Sequence, residues 1–529
     1  MKIAPTWRAG LLAAAAIVAL AAHAGPSDAQ TAGAQTAPAQ SVVRVGIHGA
    51  DIGSLDPHMS AQTIDNVIHA WIYGGLVRFP AGTIDPSRIE PDIAESWTKS
   101  PDGLVWTFTL RPGVKFHGAY GEVTADDVVY SLKRAGNPKT SAFSSDFKSF
   151  DKVEAVDPRT VRITLKTPVP SLLGLVTAQR GGYVISRKAD EEAGGQYTSK
   201  AIGTGPFQLE EYRSKQFVAL VANPTYFRGR PKIDRVVYRF IPANESRDLA
   251  FRSGELDLFY GRKDQRWVDR MKQTPGLAIE VFGPGELRLI NLNTSMKPFD
   301  DIRVRQAVAH AINRQDFVKF VGADVVSPNP SVVPLGYLGY TDQVPRFEYD
   351  PEKSKHLLKE AGYPNGITIK VLGSNRSFVE PYQLLQAQLA KAGITMELQL
   401  VEHTAWHAQI RQNLSAMVVY TAARFPVADI FLTQFFHSAS APGKPTAVTN
   451  FSHCAVADQE IDAARVEQDP KRQLELWHAA QKKIVENVCA VPLFDEDQVW
   501  GRSTKLDFGH KLEASISFGP MLTEQSTLK

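Results

Sequence analysis

The chain has 529 residues, 43% hydrophobic and 22% charged, with a formal net charge of +3. That length exceeds one compact core and calls for two or three domains. The near-neutral charge argues against nucleic acid as a partner.

The N-terminus carries a targeting signal. Lys2 and Arg8 precede the apolar run "AGLLAAAAIVALAA", and Ala22-His23-Ala24 offers small residues around a cleavage site. This reads as a secretory signal peptide over 1–24. The alternative, a transmembrane anchor, needs about 20 apolar residues, and the run is shorter. No cysteine stands near the cleavage site, so no lipid anchor is expected. Residues 25–40, rich in Ala, Gln, Thr, Pro and Gly, read as a disordered leader. Cleavage would leave a mature chain near +1.

The first half is rich in strands. "SVVRVGIHG" is a first strand, and a helix is expected over Ile64–Tyr73. "LVWTFTL" and "TVRITLKT" alternate with the period of half-buried strands. "FVALVANPTYF" and "IDRVVYRFI" flank the turn-rich "RGRPK". In "LRPGVKFHGAYGEVTADDVVYSLKR", Pro112-Gly113 suggests a hairpin turn. Thr124 with Asp127 matches a capping box opening a helix over Ala125–Arg134. That assigns the carboxylates to helix initiation, and His117 beside Phe116 to a packed, hydrogen-bonded role.

The second half turns helical. "DDIRVRQAVAHAINRQDFVKFV" places Val304, Ala307, Val308, Ala311 and Ile312 at helical spacing, with Asp300 or Asp301 as N-cap. "DPEKSKHLLKEAGY" is a helix closed by Gly362. Then come strand "ITIKVLG", helix "PYQLLQAQLAKAG", strand "ITMELQLV", helix "TAWHAQIRQN" and strand "AMVVYTA". This β-α-β-α-β order implies a mostly parallel sheet. The long helix "PKRQLELWHAAQKKIVENV" turns Leu474, Trp477, Ile484 and Val488 inward and precedes the strand "AVPLF". No internal repeat is present.

Enzyme motifs fail one by one. His403 and His407 share a helix face, but the stretch is not His-Glu-x-x-His and lacks a third ligand. No Gly-x-Ser-x-Gly elbow occurs. "PGKPT" is not a phosphate loop. "GTGPF", Gly203–Phe207, reads as a turn where the chain crosses between domains. No catalytic residue, cofactor or metal is expected. Cys454 and Cys489 are the two cysteines. In an exported chain they predict one disulfide, formed if the helices that neighbour them pack antiparallel; the alternative is two buried free thiols.

The segments "LDPHMS", "PDIAESWTKSPDGLVWTFTLRPGVKFHG", "TADDVVYSLKR", "GTGPFQLEEY", "NPTYFRGRPKIDRVVYRFIP", "PFDDIRVRQAVAHAINR", "DPEKSKHLLKEAGYPNG" and "DPKRQLELWHAAQKKIVENVCAVPLF" together resemble the family 5 extracellular solute-binding proteins, the periplasmic receptors of peptide- and nickel-type ABC importers. The resemblance covers nearly the whole mature chain. It implies an α/β fold of the periplasmic binding protein type (type II, cluster C): two hinged lobes plus an inserted third domain. Domain I would comprise 41–84, 203–295 and 496–529, domain II 85–202 and domain III 296–495, with ligand enclosed between I and III by hinge closure. It also implies a monomeric, non-catalytic periplasmic protein that hands a small peptide-like solute to membrane permease subunits.

The ligand anchors depart from the dipeptide-binding pattern. Arg424 in "YTAARFPVAD" falls where those members carry an Asp for the ligand amine. Their carboxylate-binding Arg falls near Val379 and Glu380 here. Arg424 just beyond a strand suits a carboxylate or phosphate; its alternative is an ion pair with an acid such as Asp429. Trp406 is a stacking wall for ligand or a core tryptophan. For the runner-up ligand, a nickel chelate or another small anionic solute, His437, His453 or Arg424 would be contacts. A secreted metallohydrolase using His403 and a structural, chaperone-like protein are the rivals from other classes.

Overall fold

The structure, a computed structural model, describes residues 40–529 apart from 61, 196, 198–199, 376–378 and 445–448. The expected signal peptide and all of the leader but Gln40 lie outside the described residues.

Strand β1 (Val42–Ile47) is followed by helix α1 (Thr63–Ile72). Next comes a four-stranded antiparallel sheet of β2 (Ala94–Lys99), β3 (Val105–Leu110), β4 (Phe150–Asp157) and β5 (Thr160–Leu165), in the order β2-β3-β5-β4. Helix α2 (Ala125–Ala135) leaves β3 and covers this sheet, burying Val128 and Leu132 with Phe108 and Ile163. The capping box is present: the Asp127 N–H donates to the Thr124 hydroxyl, and the Asp127 carboxylate accepts the Thr124 N–H at 3.0 Å. The hairpin differs from expectation. Both edges of β3 are taken by β2 and β5, so 114–117 pairs instead with 121–123, through the Lys115–Glu122 bridge.

The chain then builds a second, long sheet. Its strands are β6 (Phe207–Arg213), β7 (Phe217–Ala222), β8 (Arg235–Phe240), β9 (Leu258–Tyr260) and the 16-residue β10 (Leu277–Leu292). Helices α3 (Ile302–His310) and α4 (Arg314–Val321) stand where one helix was expected. Asn313 divides them: its side chain accepts the Gln315 N–H at 3.1 Å, and the Gln388 amide holds its backbone on both sides. A short strand β11 (Val326–Pro328) is followed by β12 (Ile367–Ser374), α5 (Val379–Lys391), β13 (Ile394–Val401), α6 (His403–Ile410), β14 (Met417–Ala422) and α7 (Ala428–Phe436). Helices α8 (Asp458–Val466) and α9 (Pro470–Glu486) lead into β15 (Ala490–Ser503), far longer than the expected "AVPLF". The order is β6-β7-β8-β1-β9-β15-β10-β14-β12-β13, with β11 beside β15, eleven strands among the described residues. As read from sequence, β12, β13 and β14 are parallel.

Strands β10 and β15 are the spine. They pair antiparallel along nearly their whole length and carry the β1 and β12 ends of the sheet on opposite sides. Their register shifts between Phe282 and Glu286. Buried beside that shift, Lys263 Nζ reaches Glu286 at 2.8 Å and Glu496 at 3.3 Å. Burial disfavours the ammonium, but the two carboxylates more than offset it and hold Lys263 above its ordinary pKa. A buried charge set is tolerated only when its members satisfy one another.

The two sheets are locked together by family-pattern segments that lie far apart in sequence. Arg134 at the end of α2 donates to both carboxylate oxygens of Asp56, at 3.1 and 2.6 Å, and to Asp190 at 2.8 Å. His58 Nε2 donates to the Tyr183 carbonyl at 3.0 Å. His117 plays the packed role expected of it. Its Nε2 donates to the Gly205 carbonyl at 3.0 Å and its Nδ1 accepts the Gly203 N–H at 3.2 Å. Gly203 is required there because a Cβ would strike the Ile72 carbonyl at the end of α1. All described parts from Gln40 to Lys529 form one compact unit.

Candidate functional site

Arg424 lies two residues past the end of β14, in the loop that enters α7. Tyr337 fixes that loop: its hydroxyl accepts the Arg424 N–H at 2.8 Å and donates to the Arg424 carbonyl at 2.7 Å. The guanidinium sits over the Phe435 ring at 4.9 Å. It donates to Gln434 Oε1 at 2.5 Å and to the Ala423 carbonyl at 2.9 Å. It therefore has a cation–π seat and two neutral acceptors, and makes no ion pair with a described residue.

Facing it across a cavity of about 30 Å³ is the loop that follows the four-stranded sheet, with Gln179, Arg180, Gly181 and Gly182. Arg180 takes a left-handed backbone, φ +47°, which a non-glycine residue adopts at a cost and which concentrates at functional loops. Its side chain stands over Phe143 at 5.8 Å and likewise makes no ion pair with a described residue. Burial first, and then the neighbouring Arg424, push its pKa down to about 10, so it remains a cation at neutral pH. Asp146 opposes that shift, and its carboxylate accepts from Gln434 Nε2 at 3.2 Å. The seam closes tightly beside the pair. A Cβ on Gly174 would come within 2.6 Å of the Phe425 ring, and Phe425 stacks on Phe79 at 5.5 Å. Two guanidinium groups against the one carboxylate of Asp146 leave the cavity lining net positive, which favours a carboxylate or phosphate over an amine.

Of the residues singled out from sequence, Arg424 lines this cavity and the others do not. Asp429 is 3% exposed and occupied by Arg465 at 3.3 Å and Ser171 at 3.5 Å. Burial raises its pKa, with Arg465 opposing. The alternative of an Arg424–Asp429 pair is thus replaced by an Arg465–Asp429 pair. Trp406 is a core tryptophan rather than an open wall. It is 5% exposed, its indole N–H donates to the Leu372 carbonyl at 3.0 Å, and it stacks on Tyr420 at 5.7 Å. Tyr420 in turn packs on Phe435 at 5.9 Å, so Trp406 braces the ring under Arg424 from behind. Glu380 is exposed on the first turn of α5. His437 caps the turn 438–440, accepting the Ala439 N–H at 3.1 Å, and faces Asp462 at 3.2 Å. His453 bonds to Asn413 at 2.7 Å. His403 and His407 have ring centroids 4.7 Å apart, and His403 bonds to Ser374 at 2.9 Å. Among the described residues no group of three or more His, Cys, Asp or Glu is placed to hold a metal. Cys454 and Cys489 are joined in a disulfide, with Cα atoms 5.8 Å apart, tying the loop before α8 to the start of β15.

Sequence reasoning missed Arg180, Tyr337 and Gln434. The one local signal was the Arg-Gly-Gly triplet at 180–182, a bulky cation ahead of two glycines.

Residues 88–443 match the model for bacterial extracellular solute-binding proteins, family 5 middle region. The chain is 31% identical over 468 residues to the glutathione-binding protein GsiB of Salmonella typhi, covering 87% of this chain and 90% of that protein. Among solved structures, the periplasmic binding protein MoaA of A. tumefaciens R10, in complex with mannopinic acid, is 50% identical with a TM-score of 0.86. That likeness covers 93% of this chain and 100% of MoaA. The binding protein DppA of Helicobacter pylori, in complex with the peptide STSA, is 28% identical with a TM-score of 0.80, over 92% and 98% of the two chains. No described helix is long and apolar enough to cross a membrane.

Proposed function

The chain belongs to the bacterial extracellular solute-binding proteins of family 5, and from that premise we propose that it is the periplasmic receptor of an ABC importer for a carboxylate-bearing, peptide- or opine-like solute. The observation that carries the ligand class is Arg424, a guanidinium without an acid partner among the described residues, held at the mouth of a cavity beyond a sheet strand. The likeness to a binding protein complexed with mannopinic acid supports an acid. The likeness to a glutathione-binding protein supports a peptide-like body.

In this reading 41–84, 203–295 and 496–529 form domain I, 85–202 domain II and 296–495 domain III, with β10 and β15 as the hinge. The boundary at 495/496 falls inside β15, as a strand shared by two lobes requires. The protein captures solute by closing, performs no chemistry on it, and presents the closed form to its permease. The N-terminal 24 residues direct export and are removed.

Calorimetric titration with mannopinic acid and with glutathione tests the ligand class. Saturable one-to-one binding of an acid, weakened when Arg424 becomes Ala, is expected. Tight binding of amines in preference to acids contradicts it.

A further inference from the structure

The two faces of the four-stranded sheet's surroundings are built differently. Toward β1 and α1 it is fastened by the buried Arg134, Asp56 and Asp190 cluster and by His117 on the Gly203–Gly205 turn. Toward α7 it is fastened lightly. Among the described residues, side-chain hydrogen bonds there include Gln434 to Asp146 at 3.2 Å and Ser171 to Asp429 at 3.5 Å, beside the Gly174–Phe425 contact. A hinge motion that carries the four-stranded sheet with the β1 end would open the seam against α7. Arg180 and Arg424 stand on opposite sides of that seam, line the same cavity, and pair with no described acid.

Resting on the receptor reading above, we infer that Arg180 is a specificity-determining residue: the solute's anionic group bridges Arg180 and Arg424, and closure of the seam is conditional on that anion. Without it, closing brings two guanidinium groups into one small cavity, and their repulsion is offset only in part by the Asp146 carboxylate that lines it too. With it, each arginine gains a charge-assisted partner in the closed form alone. A solute that binds only one lobe in the open state shifts nothing; one that bridges both lobes shifts the population toward closed. A neutral or cationic solute of the same shape fits the space but leaves the repulsion in place, so selectivity arises from closure as well as from contact. Arg180 takes a left-handed backbone ahead of Gly181 and Gly182 and lines the cavity with its side chain over Phe143.

The test measures the radius of gyration by small-angle scattering at low salt, and affinity for mannopinic acid and glutathione. The proteins are the wild type, Arg180→Gln, Arg424→Gln and Arg180→Lys, each checked by thermal melting. Without solute, the wild type and Arg180→Lys are expected open, and both Gln variants shifted toward the closed radius because one of the two charges is gone. With the acid, Arg180→Gln is expected to bind at least about tenfold more weakly, and Arg180→Lys to recover part of the loss, the scale of one charge-assisted bond. Solute-free Gln variants with the wild-type radius, or a solute-free wild type already closed, overturn the inference. If the wild type binds neither solute, the ligand class proposed above fails. The solute-free radii still decide the role of Arg180.

Discussion

The two seams of the four-stranded sheet differ in how they treat charge. At the seam against β1 and α1, Arg134 meets two carboxylates, and His58 and His117 meet backbone partners. At the seam against α7, Arg424 has neutral acceptors and a ring face, Arg180 has a ring face, and neither makes an ion pair with a described residue, although Asp146 lines the same cavity. Burying a charge without a partner is costly, and in the function proposed above the ligand's anion is the partner that these two cations receive.

The largest effect expected is at the saturated seam. Arg134→Ala strands Asp56 and Asp190, both buried, and should cost about 3–5 kcal/mol of stability, read as a fall in the denaturant midpoint. An unchanged midpoint would mean that this seam holds nothing.

Breaking the disulfide comes next. Replacing Cys454 and Cys489 by Ser releases a loop of sequence separation 35 and should lower stability by about 3–4 kcal/mol, with ligand affinity per folded molecule retained.

Acid should act on the saturated seam before the unsaturated one. Burial pushes His58 and His117 down to about 4, so both stay neutral in the folded protein while the unfolded chain protonates below about 6.5. Their contribution is present above about 6.5 and is lost as pH falls toward 4, by up to about 3 kcal/mol for each. The stability gap between wild type and His117→Gln should therefore narrow over that window. A gap that is flat with pH would show that His117 does not titrate as its burial requires.

At the open seam, Arg424→Ala should weaken acid binding by about 2–3 kcal/mol, the scale of a charge-assisted bond in a desolvated site, with a smaller effect on stability. Arg424→Lys should restore only part, because an ammonium lacks the planar fork.

Of the saturated seam, the sequence showed the packed His117 and the start of α2, which follow local rules, and not the pairing of Arg134 with Asp56 and Asp190, which lie 78 and 56 positions from it. Thr124 and Asp127 lie three residues apart, and a capping box needs no knowledge of the rest of the chain. Asp301 caps α3 by the same logic, accepting the Arg303 N–H at 2.8 Å. Asn313 caps α4 in the same way, but the apolar spacing on both sides of it reads as one helix. The break shows only once Gln388, 75 residues on, is seen to hold its backbone. The full length of β15 was hidden for a related reason, since it extends to Ser503 by pairing with β10 more than 200 residues earlier.

At the site the division is sharper. Arg424 could be picked out because β14 precedes it and the end of a sheet strand is where ligands gather. Arg180 could not. It lies 244 positions upstream, its own stretch shows no strand or helix period, and only the packing of two lobes brings it to the same cavity. Trp406 and Asp429 were chosen for chemistry they have, and the fold spends it elsewhere, on Tyr420 and Arg465.

The most direct test of the account is native mass spectrometry of the protein incubated with equal amounts of mannopinic acid and its carboxamide counterpart. One acid molecule per chain, little carboxamide, and loss of that preference in Arg424→Ala are expected. Equal uptake of the two by the wild type, or a preference for the acid that survives Arg424→Ala unchanged, would contradict it.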